Sequence, residues 1–189
     1  SKLNVPRIGV RFRLPASMNQ VEYFGRGPAE NYLDRNAGSM IGLYKSTAEE
    51  LYFPYVRPQE NGHHTDTRWV SLSTGKKGLL IQADNTIGFN ALRNSIEDFD
   101  DEEATGLPRQ WSNFTPEQVA NHDEAAAKNV LRRQHHINDI TPRDFVEVCV
   151  DLKQQGVAGY DSWGSRPEPA YTLPANREYN WGFTLIPLK

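Results

Sequence analysis

The sequence predicts an all-β fold, an antiparallel sandwich, on three observations. Short runs alternate apolar with polar residues, glycine and proline separate the runs, and long helical periodicity is missing. The runs fall at 7–14, 20–25, 69–73, 79–83, 88–92, 145–152 and 178–187. Alternation is clearest in VRFRL, VEYF and FVEVCV, where a period of two points successive side chains to opposite faces, as in strands with one buried face. The 14 glycines and 12 prolines punctuate these runs as turns.

One helix interrupts the pattern. Thr115 is placed as an N-cap, Pro116 occupies the first helical position, and Gln118 lies three residues beyond the cap, so a short helix is predicted over 115–122. The following DEAAAKNVLRR, 123–133, either extends it or forms a second short helix, since alanine, lysine, leucine and arginine favour that state. The acidic run EDFDDEEATG, 97–106, reads as a solvated loop; the DxDxDG spacing of a calcium loop is absent from it. With no repeat, low-complexity tract or composition shift, residues 1–189 are expected to form one domain.

Composition narrows the function classes. A hydrophobic content of 38% and an aromatic content of 11% describe an ordinary globular chain with several large core side chains. No apolar run approaches the roughly 20 residues of a membrane helix, and the opening SKLNVPRIGV has no signal-like apolar region. The net charge of -3, from 21 basic and 24 acidic residues spread along the chain, offers no basic stripe for nucleic acid. Cys149 is the single cysteine, so neither an internal disulfide nor a cysteine metal cage is expected, and its place in FVEVCV reads as a packed thiol.

Three segments carry chemistry. GRGPAENYLDR, 25–35, reads as a corner satisfied by its own side chains, with Arg26 or Arg35 paired to Glu30 or Asp34; the alternative is direct contact with a sugar. YVRPQENGHHTDTRW, 55–69, brings two adjacent histidines near acids. Neighbours on a strand face opposite ways, which argues against one shared metal ion. An acid/base pair acting on a sugar would need Glu60 to converge with His63 or His135, and satisfied structural histidines are the competing reading. GVAGYDSWGSRPEP, 156–169, is a glycine- and proline-rich loop with Asp161 and Trp163 at its centre. An indole there suits the apolar face of a pyranose, or it anchors the loop by packing inward.

Taken together, VPRIGVRFRLP, VEYFGRGPAENYLDR, PYVRPQENGHHTDTRW, HHIND and GVAGYDSWG resemble, in order and approximate spacing over nearly the whole chain, the C-terminal domain of the large β-galactosidases of glycoside hydrolase family two. The resemblance implies a supersandwich, a two-layer antiparallel β fold shared with galactose mutarotases. It implies a parent in which this domain follows sugar-binding, immunoglobulin-like and TIM-barrel domains, with the barrel supplying both catalytic glutamates. No catalytic residue is then expected in this chain, and Trp163, which matches the tryptophan of the family's SW element, is the expected substrate contact. Glu60, His63, His135 and Asp161 are secondary candidates for the cleft. No cofactor is expected here, magnesium and sodium being bound by other domains of the parent.

The expected partners are those other domains, above all the barrel, together with β-galactosides and, through open strand edges, a second copy. The compartment, cytoplasmic or periplasmic, stays open. Two departures stand out: the family commonly has two glycines and an acid where this chain has Ala158, Gly159 and Tyr160, and its domain is longer, so the first strands are expected to be missing on the N-terminal side. A self-sufficient mutarotase-like epimerase or carbohydrate-binding module is the competing class.

Overall fold

A computed structural model describes residues 3–99, 137–160 and 164–189. The predicted helix at 115–122, its extension, and the candidates His135, Asp161 and Trp163 lie outside these residues. The chain divides into two compact units. The first comprises Ser1–Phe53, Asn61–Arg93 and Asp144–Lys189, and the second Pro54–Glu60 and Asn94–Arg143.

The first unit holds seven strands: β1 (Arg7–Pro15), β2 (Gln20–Gly27), β3 (Met40–Thr47), β4 (His64–Ser73), β5 (Gly78–Leu92), β6 (Phe145–Gln154) and β7 (Phe183–Leu188). All ladders are antiparallel, in the order β1-β6-β5-β4-β2-β3, with β7 pairing β5 off this path. The expected all-β antiparallel class is therefore what the described residues form, their only helical elements being short 3₁₀ turns. β5 is the organising strand. β4 runs along one of its edges, while the other edge is divided between β7, at residues 78–83, and β6, at residues 88–92.

Alternation puts Val21 and Tyr23 of β2, Val70 and Leu72 of β4 and Ile81 of β5 on one buried face. Burying such side chains stabilises the sheet by roughly 1.5–3 kcal/mol each. The opposite face leaves Phe24, Ile41 and Leu43 exposed. An open pocket of about 360 Å³ on that face is lined by Glu22, Trp69, Ser71, Leu80, Gln82 and Leu188, none of them a predicted site residue.

The strands differ from expectation in three places. β3 was not anticipated, because Ile41 and Leu43 put apolar residues on its exposed face and blur the alternation. The runs at 79–83 and 88–92 are one strand; the polar stretch between them resembles a turn but continues the chain of β5. The last run begins at Phe183, not at 178.

β6 also departs from the one-face pattern. From Val146 to Asp151 it is buried on both faces, and Glu147 is buried with the rest. Arg11 and Arg13 of β1 reach Glu147 at 3.5 and 3.0 Å, and Arg13 lies over the Phe145 ring at 4.1 Å. Long aliphatic stems covering the strand, with charged heads at their ends, account for this burial.

In the second unit Asp98 stands in a 3₁₀ turn, Ile96–Phe99, and is buried rather than solvated as the acidic run suggests. Arg143 meets both of its carboxylate oxygens, with Nε at 3.0 Å from Oδ2, and the Ser95 N–H donates to it at 2.9 Å. A bidentate guanidinium and a backbone donor supply what water would otherwise give the charge.

Candidate functional site

The corner at 25–35 is built by its own amide and charges. Asn31 is buried and uses both ends of its side chain: Nδ2 donates to the Arg26 and Ala29 carbonyls at 3.1 Å each, and Oδ1 accepts from Thr65 N–H at 2.9 Å and Thr65 Oγ1 at 2.6 Å. Glu30 accepts from Arg35 at 2.8 Å, as the sequence suggests, and from the Gly62 N–H at 2.6 Å. Arg26 turns elsewhere. It meets Asp66 of β4 at 2.5 Å and donates to the Ser39 carbonyl at 2.8 Å.

That leaves Asp34, which pairs with neither arginine. It sits at the tip of a tight turn closed by reciprocal backbone hydrogen bonds between Tyr32 and Arg35. From there its carboxylate accepts from two successive backbone N–H groups far along the chain, Val157 to Oδ1 at 3.1 Å and Ala158 to Oδ2 at 2.8 Å. Gly156 makes the approach feasible: a Cβ there would fall 2.5 Å from the Asp34 carboxyl. Ala158 and Gly159 follow with φ of 56° and 88°, the left-handed region that disfavours a side chain. The Gly156 N–H also donates to the Tyr171 carbonyl at 2.8 Å, which ties together the two ends of segment 157–170. Trp163 lies near the middle of that segment in sequence.

A second polar cluster lies under β5 and β6. Asp151 is 0% exposed and faces Arg7 Nε at 3.0 Å. Arg7 donates further to Asn90 Oδ1 at 2.7 Å and to Gln154 Oε1 at 2.5 Å. Asn90 Nδ2 donates to the Asn61 carbonyl at 2.8 Å, so its Oδ1 faces His63 Nδ1 at 2.8 Å and that nitrogen carries the hydrogen. His63 stacks on Tyr32, whereas His64 packs between Tyr23 and Phe89, so the adjacent histidines do face different ways.

Both imidazoles are neutral. Burial, helped by the nearby Arg7 charge, pushes the His63 pKa down to about 3. Burial pushes His64 down to about 4, against the opposing pull of the Pro28 and Gly62 carbonyls. His63 is thus locked inside the first unit. Glu60, half-buried in a loop, belongs to the second. Among the described residues no group of three or more His, Cys, Asp or Glu could hold a metal ion. Cys149 is buried, beside Arg7 at 3.8 Å.

Asp34 is the residue that the sequence did not single out correctly. Its two partners lie more than a hundred positions away, and the only local signal was the glycine and the left-handed pair at 156–159.

The family model for the β-galactosidase small chain matches residues 1–185. A β-galactosidase of Priestia megaterium is 35% identical over 97% of this chain, and one of Vibrio cholerae is 29% identical over 96%. A β-galactosidase of an Arthrobacter species is 41% identical over 49% of it. The chain spans only 15%, 14% and 10% of the lengths of these three relatives.

Proposed function

The chain belongs to the β-galactosidase small-chain family, and from that premise we propose that it serves as the accessory, non-catalytic part of a β-galactosidase, lending a loop tryptophan to the galactoside site. In this reading the parent hydrolyses terminal β-D-galactosides with retention. The two carboxyl groups such chemistry needs, about 5–5.5 Å apart across the scissile bond, belong to other domains of the parent, as do any magnesium and sodium ions.

The observation that carries the reading is how six of the described carboxylates are used. Asp151, Glu147, Asp98, Glu30 and Asp66 are engaged by arginines, and Asp34 by backbone amides. A general acid or nucleophile must instead face a substrate. The burial of His63 favours the same reading over a self-sufficient epimerase, whose base must reach a sugar hydroxyl.

Trp163 is assigned the substrate contact, its indole lying on the apolar face of the galactose ring. Such stacking is shared by ground state and transition state, so its loss raises KM more than it lowers kcat. Trp163→Ala in the full-length parent is expected to reduce kcat/KM by about 1–3 kcal/mol with little change in unfolding midpoint. Steady-state kinetics on a β-galactoside, paired with thermal melts, provide the check. A large drop in midpoint with a normal KM would show a packed side chain and end the assignment.

A further inference from the structure

We propose that the outer face of the sheet carries a saccharide-binding pocket, built on Trp69 and fitted to one neutral pyranoside ring. The inference goes beyond the accessory reading and does not depend on it.

Register sets the pocket. In the ladders of β2, β4 and β5, Glu22, Ser71 and Leu80 stand opposite one another, and so do Phe24, Trp69 and Gln82. A period of two puts both rows on the outer face, two positions apart along each strand. Between them and Leu188 of β7 lies the open cavity of about 360 Å³, at the small end of the range for ligand pockets and roomy enough for a single sugar ring. Trp69 is half-buried there, and Phe24 beside it is 37% exposed.

The lining has the chemistry of a sugar site. The indole, Leu80 and Leu188 form an apolar floor on which the C–H face of a pyranose can lie flat. Polar capacity around that floor is unspent: the Gln82 amide and the Trp69 indole N–H have no partner among the described residues, and the Glu22 carboxylate meets only exposed Lys45, at 3.3 Å. The amide donates and accepts, the indole donates and the carboxylate accepts, a combination that matches neighbouring hydroxyls. An apolar protein surface laid over the pocket would strand these groups at a cost for each, whereas sugar hydroxyls satisfy both donors and acceptors. Glu22 is the only charged group in the lining, so neutral sugars fit better than anionic ones.

The test is a titration of the full-length parent labelled with fluorotryptophan and followed by fluorine NMR. The Trp69 resonance is assigned by its loss in Trp69→Phe, and the probe is methyl thio-β-D-galactoside, whose sulfur linkage resists hydrolysis. The resonance is expected to shift saturably with a Kd on the order of 10 mM, as one ring contact and a few hydrogen bonds would give. Gln82→Ala, at an exposed position, and Glu22→Ala should each weaken binding by about 3- to 10-fold with the thermal midpoint unchanged.

Absence of a saturable shift up to about 100 mM overturns the inference, the pocket then being too weak for a sugar or covered by another part of the parent. A saturable shift with the same Kd in both variants overturns it as well, since the resonance then reports binding elsewhere. Either failure leaves the accessory reading standing, because that reading is tested by kinetics on a different side chain.

Discussion

Asp151 and Asp34 are the same side chain put to opposite uses. Asp151 is fully buried between strands and meets the Arg7 guanidinium, itself held by Asn90 and Gln154. Asp34 stands half-buried at a turn and meets only backbone amides of a distant loop. A carboxylate paired with an arginine inside a sheet ties strands together. One facing successive amides ties a loop to a distant turn, so the two aspartates separate contacts inside the sheet from contacts that hold its loops.

The sharpest way to break the comparison is Arg7→Ala. It leaves Asp151 buried without its guanidinium, and losing one partner of a buried pair costs about 3–5 kcal/mol. Denaturant or thermal unfolding should register the full loss, whereas soluble enzyme should keep its KM. A raised KM at unchanged stability would place the buried cluster in the site after all.

The neighbouring histidines give the next largest effect. Their folded pKa values, about 3 and about 4, lie below the unfolded value near 6.5, so the unfolded chain takes up protons first as pH falls. The stability of the first unit should therefore be intact above pH 6.5 and decline below it. By pH 5 the loss amounts to roughly 2 kcal/mol per histidine, from about 1.36 kcal/mol per pH unit. Unfolding midpoints measured between pH 7.5 and 5 test this, and a flat profile would contradict buried, neutral rings. His64→Gln should reduce the slope by about half.

The smallest effect is expected where neither region is touched. Lys45 reaches Glu22 at 3.3 Å across β2 and β3, with its side chain 76% exposed. Lys45→Ala should change stability by less than about 0.5 kcal/mol and leave kinetics unaltered. A loss comparable to that of Arg7→Ala would mean that burial is not what separates the two kinds of charge.

Much of the fold was legible because strands announce themselves locally. The alternation in VEYF and FVEVCV located β2 and β6, and turn residues separated them from their neighbours. β3 escaped because apolar residues on its exposed face leave no period to detect, and the single strand β5 looked like two because its polar middle imitates a turn. In the corner at 25–35 the Arg35–Glu30 pair was within reach of sequence reasoning, being five residues apart. Arg26 with Asp66, forty positions apart, was not.

The sequence by itself determined the all-β class and, through its motifs, the family. Both rest on local periodicity and on short words that carry their meaning wherever the chain places them. Tertiary structure alone decided what the charged residues in those words do. Whether a carboxylate is buried against a guanidinium, as Asp151 is, or accepts two amides more than a hundred residues away, as Asp34 does, depends on which strands and loops are brought within about 3 Å, the range over which a hydrogen bond acts.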